Sequence, residues 1–418
     1  MQIVSKDSAG IQDTRVHSRH GSISSDGNFV VFESESGFFS GENVTRTSSQ
    51  IFRKNLTTGE LDLVTLGVDG EVGDRASTDA IVSADGRLVA FLSHASNLTA
   101  DGVNPNINTL VKHLYVRDMA TGETTLISKN EFNVVSDKST MSDFAFSPDG
   151  TKIAFTVPTG NLFPTVRRNP SLSVGLFVKD LNNDVLIFVE ADDVTSIDDD
   201  DATAFRSPAF SSTGTKLTYV YSFREESGSQ IVVHDLISNL AEVVSTLPSG
   251  EIANAAVSAP SFGGADSLVL FISPASNLHP DEHDVSQADA FVKNLATGGL
   301  EHVSITNTGA QLNDSVLGAS ISPDGSRVAF LTGATNIEEP GIALGRQVYV
   351  RNRTTSQVQI VAQSHDGTRV DKNASLSRFS FANDNTITFM SRAANLDPID
   401  SRTRDDIFVR RLVGQCIP

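Results

Sequence analysis

The sequence lacks tryptophan and contains a single cysteine, Cys416. One cysteine cannot form an intramolecular disulfide, which excludes a disulfide framework as the basis of the fold. Because Cys416 stands two residues from the end of the chain, we interpret it as a bystander and not as a catalytic nucleophile.

Long apolar runs and an excess of positive charge are also missing. No stretch of about eighteen apolar residues occurs, so the sequence predicts no membrane-spanning helix. Residues 1–4 do not combine a basic segment with a following apolar one, so we expect no signal peptide in this chain. The 51 acidic residues outnumber the 32 basic ones, for a formal charge of −19. Nucleic acids and anionic membranes need a basic surface, and the composition argues against both as partners.

The sequence contains one motif that is repeated along its length. A short apolar strand leads into Ser-x-Asp-Gly, and a strand centred on an aromatic residue, a loop and a third apolar strand follow. Asp-Gly between two apolar runs is a strong hairpin signal, because the turn needs positive φ values that glycine and Asx residues tolerate. The seven turns, about sixty residues apart, end at Gly27, Gly86, Gly150, Gly214, Asp266, Gly325 and Asn385.

The repeats also predict their own packing and closure. The second strand carries an aromatic residue at the same position in every repeat. We interpret this position as buried in the core, with an aromatic platform for a ligand as the weaker alternative. A fourth strand follows in six repeats, and the seventh lacks it, but Gln2-Ile3-Val4-Ser5 at the other end of the chain matches it. We therefore predict an all-β, seven-bladed β-propeller of four-stranded blades, one domain over residues 1–418, closed by the N-terminal strand at residues 2–5. The aromatic residues are Phe32, Phe91, Phe155, Tyr219, Phe271, Phe330 and Phe389.

The phrase Ser-Pro-Asp-Gly followed by Ala-Phe, at residues 147–155 and 322–330, resembles the WD-like Asp-Gly repeats of TolB-type bacterial β-propellers. The resemblance extends from Gln2 to Leu412. It implies the same fold and a periplasmic or extracellular location, with a cytoplasmic one as the alternative. It leaves function open, since propellers serve as protein docks, sugar binders and enzymes. We expect a monomer.

The loops that connect one repeat to the next, here called connecting loops, are acidic. An Asp or Asn stands at or near the eighth position before the apolar residue that precedes each turn. In a propeller these positions would surround the channel mouth, where a set of oxygen ligands would suit Ca²⁺ or an ammonium group. Alternatively, each Asx caps its own loop by bonding backbone N–H groups. The candidate ligand-binding residues of this kind are Asp74, Asp137, Asn254, Asn313 and Asn373.

The fourth repeat has the most acidic connecting loop, Asp198-Asp199-Asp200-Asp201. The loop between its second and third strands, residues 223–228, is the shortest of its kind. A long acidic loop beside a short one predicts a notch, which is our preferred ligand site. A solvated charge run is the alternative interpretation, and the spacing is not that of an EF-hand.

The loops between second and third strands, here called long loops, supply the candidate metal ligands. Related repeats often carry a calcium-loop pattern here that this sequence keeps in part, so the resemblance implies peripheral Ca²⁺ as the one possible cofactor. The Asn that begins most long loops is interpreted as a turn former. The two carboxylate sets are Asp281, Asp284 and Asp289 in the fifth repeat, and Asp397, Asp400 and Asp405 in the seventh.

A basic residue ends the third strand in six repeats, and we interpret it as a structural ion-pair partner of a turn aspartate such as Asp85 or Asp149.

Catalytic motifs are missing. The chain has no Gly-x-Ser-x-Gly elbow, no phosphate-binding glycine loop and no Cys/His pairing. His279 and His283 have a metal-ligand spacing, but in a predicted loop where that spacing fixes no geometry. We therefore expect a non-catalytic binding propeller that recognises a protein, peptide or glycan over its acidic loop face. The alternatives are an extracytoplasmic metal-dependent polysaccharide lyase or hydrolase with its site at the channel mouth, and an accessory module of a larger surface protein.

Overall fold

A computed structural model describes residues 1–13, 15–37, 39, 48–100, 111–163, 172–190, 194–195, 202–223, 228–278, 287–337, 345–362, 379–397 and 404–412. These residues form strands, turns and connecting segments, without a helix among them, as the predicted all-β class requires. No helix long and apolar enough to cross a membrane occurs in the described part of the chain.

The strands are short and follow one another in the predicted order. The first eighteen are β1 (Gln2–Ile3), β2 (Ser18–Ile23), β3 (Phe29–Ser34), β4 (Gln50–Asn55), β5 (Leu61–Leu63), β6 (Ser77–Val82), β7 (Leu88–Ser93), β8 (His113–Asp118), β9 (Thr124–Leu126), β10 (Phe144–Phe146), β11 (Lys152–Pro158), β12 (Val174–Asp180), β13 (Leu186–Phe188), β14 (Val194–Thr195), β15 (Ala202–Phe210), β16 (Lys216–Phe223), β17 (Ser229–Asp235) and β18 (Ala241–Val243). The others are β19 (Ser258–Gly263), β20 (Leu268–Ser273), β21 (Asp289–Asn294), β22 (Leu300–His302), β23 (Val316–Ile321), β24 (Arg327–Thr332), β25 (Gln347–Asn352), β26 (Val358–Ile360), β27 (Ser380–Asn383), β28 (Thr386–Ser391) and β29 (Asp406–Arg411).

The Ser-x-Asp-Gly phrase forms the turn between the first and second strands of a sheet. In the second repeat, Ser83 Oγ donates to Asp85 Oδ1 at 2.6 Å and accepts the Leu88 N–H at 2.9 Å. Gly86 has a φ of 76°, which a residue with a side chain adopts only at a cost. The motif thus closes the hairpin with its own side chains. The same serine–aspartate bond recurs at Ser24, Ser147 and Ser322.

Contacts within the chain group it into two compact units, the first formed by Met1–Ile127, Leu344–Tyr349 and Gln359–Pro418. This unit contains the antiparallel sheets β2-β3-β4-β5 and β6-β7-β8-β9. It also contains the sheet β1-β29-β28-β27, in which the N-terminal strand pairs with the last strand, Gln2 opposite Val409 and Ile3 opposite Phe408.

The N-terminal segment occupies the place of a fourth strand in that last sheet. Ser5 Oγ donates to Asp406 Oδ1 at 2.6 Å and accepts the Ile407 N–H at 3.4 Å. In the first sheet, Thr65 Oγ1 makes the corresponding bonds to the side chain of Gln50 and the N–H of Ile51. The predicted equivalence of residues 2–5 to a fourth strand therefore extends to the side-chain hydrogen bonds.

The second unit, Ser128–Ala343 and Val350–Val358, departs from the predicted separate sheets. The third and fourth repeats share one nine-stranded sheet, joined by a single parallel pair between Val174 and Ala204. Thr203 O accepts both the N–H and the hydroxyl of Ser173 at 2.7 Å, which holds these strands together. In addition, β14 pairs in parallel with β18 at a place where the sequence predicts only a loop. The sheet β19-β20-β21-β22 also belongs to this unit, and β23-β24-β25-β26 is the remaining sheet of the chain.

The fixed aromatic residues are buried, as predicted. All seven have 0–1% of their surface exposed. In five repeats the ring stacks on an aromatic ring of the third strand, as in Phe32 on Phe52 at 5.9 Å and Phe389 on Phe408 at 5.8 Å between centroids. Burying one such side chain contributes roughly 1.5–3 kcal/mol.

Candidate functional site

Asp74 joins a connecting loop to the long loop of the same repeat. Its Oδ1 accepts the Ser96 N–H at 2.7 Å, and its Oδ2 accepts the Ser96 hydroxyl at 2.5 Å. In return, Asn97 Oδ1 accepts the Asp74 N–H at 3.0 Å, and Asn97 Nδ2 donates to Val72 O at 3.1 Å. We call this reciprocal pairing of a connecting-loop Asx with a long-loop Asn the Asx clasp.

The Asx clasp recurs in three further repeats. Asp137 pairs with Asn161, each accepting the backbone N–H of the other at 2.9–3.0 Å. The backbone N–H bond from Asn161 is the main reason why the pKa of Asp137 lies below its ordinary value. The remaining clasps join Asn254 to Asn277 and Asn313 to Asn336.

Four predicted ligand residues thus pair with the long-loop asparagine of their own repeat: Asp74, Asp137, Asn254 and Asn313. Capping of backbone N–H groups was the alternative interpretation, and the structure shows it in a form that links two loops instead of one. Asn373 and Asp198, Asp199, Asp200 and Asp201 lie outside the described residues, so the notch stays a prediction.

The carboxylates predicted to bind Ca²⁺ are bonded to protein groups where the structure describes them. Asp289, 2% exposed, accepts the Ser304 hydroxyl at 2.7 Å and Gln311 Nε2 at 3.0 Å. Asp397 lies 3.8 Å from Lys6 Nζ and accepts the Ile3 N–H at 3.4 Å. Asp281, Asp284 and Asp400 lie outside the described residues. Within the described ranges, no three His, Cys, Asp or Glu side chains are grouped so that they could hold a metal ion.

Asp405, the last of these carboxylates, lies within a group of positive charges in the first unit. Its Oδ1 is 2.7 Å from Arg392 Nε, and its Oδ2 is 3.2 Å from Arg19 Nε and 2.9 Å from His17 Nδ1. Arg404 Nη1 lies 3.2 Å from the far nitrogen, Nε2, of His17. We call these five residues the arginine cluster. A carboxylate flanked by guanidinium groups is a poor ligand for a cation.

Both ring nitrogens of His17 have partners in the cluster. Arginine can only donate, so Nε2 is the acceptor toward Arg404. The Asp405 backbone N–H donates to Nδ1 at 3.0 Å, and the Asp405 carboxylate lies 2.9 Å from the same nitrogen. Burial is the largest cause that lowers the pKa of His17; the charge of Asp405 opposes it, and the charges of Arg19, Arg404 and Arg392 add to it. His17 thus lies between the carboxylate and the third guanidinium group.

Asp405 remains ionised in this setting. Burial alone would raise its pKa, but the hydrogen bond and charge of Arg392, with the charges of His17 and Arg19, lower the pKa below the ordinary aspartate value. Its backbone contributes as well, since Asp405 O accepts the Ser18 N–H at 2.8 Å and so ties the start of β2 to the segment before β29.

Beside the arginine cluster, a β-bulge lies in β2. The pairing of β2 with β3 shifts register between Arg19 and Ser22, and His20 there has a φ of 52°. His20 Nδ1 is 2.7 Å from Glu33 Oε1, and Glu33 Oε2 accepts the Asp79 N–H at 3.3 Å. Bulges re-aim side chains and are common next to binding sites. Sequence periodicity alone gave no signal for this irregularity.

The basic residues that end the third strands lie elsewhere than predicted. Lys54 Nζ donates to the carbonyl oxygens of Lys6 at 3.1 Å and Asp7 at 2.7 Å, and Lys293 Nζ donates to Thr246 O at 2.8 Å. Burial lowers the pKa of both lysines. The same kind of bond joins Arg117 to Leu66, Lys179 to Lys129 and Arg410 to Val361.

The predicted ion pair with the aspartate of a Ser-x-Asp-Gly turn is therefore wrong, although Lys179 pairs with Asp184, in the turn that follows its own strand, at 2.7 Å. Asp85 and Asp149 accept bonds from the serine and the backbone of their own turns. Five of the six basic residues instead reach carbonyls that follow the fourth strand of the preceding repeat, whereas Arg351 Nη1 donates to Ser356 O of its own repeat at 3.2 Å. The recurrence of a basic residue at this position is visible in the sequence. Its acceptor is not, because every residue has a backbone carbonyl and the sequence does not show which one is used.

No family model matches the chain, and no curated protein matches it in sequence. Several solved structures share its fold. The β-propeller domain of the Trilobed protease from Pyrococcus furiosus matches with a TM-score of 0.57 at 12% identity, over 97% of this chain and 100% of that chain. An oligogalacturonate lyase in complex with manganese matches with a TM-score of 0.55 at 12% identity, over 96% and 91%. A putative TolB from Agrobacterium tumefaciens has a TM-score of 0.45 at 12% identity, over 86% and 97%. Similarity at such low identity shows the fold alone, and that fold is the β-propeller that the Asp-Gly repeats predict.

Proposed function

We propose that this chain is a non-catalytic binding propeller of seven blades, closed by β1, that recognises a protein, peptide or glycan over the face carrying the connecting and long loops. The observation that carries the proposal is the recurrence of the Asx clasp. It fixes the bases of both loops in the same way in every repeat where it is described, while the loop sequences between the fixed points differ from repeat to repeat.

A fixed base beneath differing loops suits recognition. Loops positioned by a rigid scaffold carry binding residues in many folds, because the scaffold limits the entropy lost when a ligand orders them. The clasp also gives Asp74 and Asp137 a structural role, since both carboxylates accept backbone N–H groups. Export to the periplasm or the cell exterior belongs to the proposal through the resemblance of the repeats.

A metal-dependent polysaccharide lyase or hydrolase is the second candidate. Its support is the similarity in fold to an oligogalacturonate lyase in complex with manganese over nearly the full length of both chains. The described side chains offer no group of three that fits a metal ion. His279 and His283, which would be needed as ligands, lie outside the described residues.

Two measurements on the intact chain separate the candidates. Glycan and peptide arrays should detect a ligand that is retained unchanged, and acidic polysaccharides incubated with manganese should give no unsaturated product by ultraviolet absorbance. Turnover that stops in EDTA and returns with manganese would contradict the binding proposal and support the lyase.

The calcium prediction has its own test. Calorimetric titration with Ca²⁺ should detect binding if the carboxylates at 281, 284 and 400 complete a site with their neighbours. No heat of binding, together with a melting temperature unchanged by EDTA, would remove Ca²⁺ from the account.

A further inference from the structure

The arginine cluster differs in charge balance from three other arginines that the structure describes. Arg53, Arg87 and Arg353 each pair with one carboxylate, Asp62, Asp118 and Glu301, at 2.5–2.7 Å. In the cluster, three guanidinium groups are associated with the single carboxylate of Asp405, directly or through His17. Among the described residues, positive charge is therefore in local excess here, in a chain whose formal charge is −19.

The neighbouring acidic groups do not remove this excess. Glu33 is bonded to His20 and to the Asp79 N–H. Asp406 is occupied by the Ser5 hydroxyl at 2.6 Å and by Gln12 Nε2 at 2.7 Å, and only 3% of its surface is exposed. These contacts leave Asp405 as the carboxylate that the arginines share.

The guanidinium groups have further N–H donors beyond those that bond to described residues. Each has five N–H donors, and toward described residues Arg19 uses only Nε, Arg392 uses Nε and Nη2, and Arg404 uses Nη1. The side chains of Arg19 and Arg392 are 43% and 56% exposed, so about half of each side chain is open to solvent among the described residues. Asp405, only 1% exposed, anchors the inner edges of both side chains.

From this geometry we infer that the arginine cluster is a binding site for an oxyanion, and that its ligand is a carboxylate-bearing molecule. Two guanidinium groups held by a buried carboxylate present planar donor edges, which match the two oxygens of a carboxylate better than a point charge such as lysine would. Because Asp405 already orders the side chains, a ligand loses less entropy on binding than it would at free surface arginines. The site is separate from the Asx clasps and is independent of them.

The carboxylate could belong to a small organic acid or to an acidic chain, and two probes distinguish these sources. The intact protein is titrated calorimetrically at low salt with citrate and with a glutamate-rich peptide. The variants are Arg19→Gln and Arg392→Gln, and the matched control is Arg87→Gln, which removes an arginine that is similarly exposed, at 55%, and pairs with one carboxylate outside the cluster. Losing a charged hydrogen-bond donor should weaken the binding of whichever probe binds by about tenfold or more in both variants, while the control should bind as the parent chain does.

Thermal unfolding of each variant checks that the fold is retained, and Arg404→Gln replaces any variant that does not fold. Binding of citrate alone assigns the site to small acids, and tighter binding of the peptide assigns it to an acidic chain. The inference is overturned if the parent chain binds neither probe, or if the cluster variants bind like the control. A protein or glycan ligand that is retained by the cluster variants would leave the proposed function intact while removing this site from it.

Discussion

At the scale of single residues, aspartates that look alike in the sequence have different roles set by their neighbours. Asp74 meets neutral donors, a backbone N–H and a hydroxyl, and so joins two loops. Asp405 meets two guanidinium groups and an imidazole, and so orders positive charge. The difference lies in contacts made across the chain, which the spacing of acidic residues does not reveal.

Replacing Asp74 separates a structural role from a ligand role. Asp74→Ala should lower the free energy of unfolding by about 1 kcal/mol, because two hydrogen bonds to Ser96 are lost. Asp74→Asn should cost much less, since the fifth and sixth repeats use asparagine at this place, where Asn313 Oδ1 accepts the Thr335 N–H at 2.8 Å. Chemical denaturation measures both. A neutral effect of the alanine variant would contradict the clasp, and loss of ligand binding in a stable asparagine variant would restore the ligand role.

A buried histidine makes the stability depend on pH. Burial, and to a smaller extent the neighbouring His94, lowers the pKa of His113 to about 4 from an ordinary value of 6.5. Below pH 6.5 the unfolded chain binds a proton that the folded chain rejects, so this residue's contribution to stability falls as the pH drops from about 6.5 to about 4. Integrated over that range, the loss is about 3 kcal/mol.

His113→Gln is the matched variant for this effect. Gln50, Gln230 and Gln347 occupy the same place in other repeats, and Gln50 accepts a hydroxyl bond there at 2.6 Å. Denaturation curves between pH 7 and pH 4 measure the free energy of unfolding of the parent chain and of His113→Gln. As the pH falls, the parent chain should lose stability relative to the glutamine variant. Parallel curves for both proteins would show that His113 does not titrate as inferred.

At the scale of elements, the basic residues of the third strands connect successive repeats. Five of the six place a cation against carbonyl oxygens beyond the end of the preceding fourth strand, where a hydrogen bond to a charged donor is worth more than a neutral one. Both lysine and arginine occur at this position, three of each in six repeats, which indicates that the donor matters more than its shape.

Lys293→Met should destabilise the protein by roughly 1–3 kcal/mol, because the partly buried carbonyls of Thr246 and Leu247 lose their charged donor. Lys293→Arg should retain most of the stability. Lys138→Met is the control, since this lysine is 46% exposed and its ion pair with Asp137 is a surface pair worth under about 1 kcal/mol. Equal denaturation midpoints for the Met variants at 293 and 138 would refute the role given to the buried cation.

Sequence periodicity predicted much of the element level. Local or repeated patterns in the sequence predict the Ser-x-Asp-Gly turns, the buried aromatic residues and the pairing of residues 2–5 with the last sheet. Comparing the repeats with one another makes these patterns clear. The single parallel pair between Val174 and Ala204 and the strand β14 occur once, so repetition gave no help. The arginine cluster was missed for a related reason: Arg19 and Asp405 are adjacent only because the chain's two ends meet in one unit, and the sequence analysis grouped Asp405 with nearby carboxylates instead.

At the scale of the whole molecule, we propose that seven repeats form one ring, closed by the N-terminal strand. Val4, which follows β1, and Val64, in the first repeat, occupy matching places, and both are 0% exposed. If the ring is closed as proposed, the first residues of the chain belong to the core as fully as an internal fourth strand does.

Equilibrium unfolding of Val4→Ala beside Val64→Ala tests this most directly. Each substitution removes buried methyl groups and leaves a cavity, so we expect both to lower the free energy of unfolding by a similar amount, about 2 kcal/mol, within a single cooperative transition. A Val4 variant as stable as the parent chain, or one that melts a separate small transition while the rest unfolds unchanged, would contradict a ring closed by its N-terminal strand.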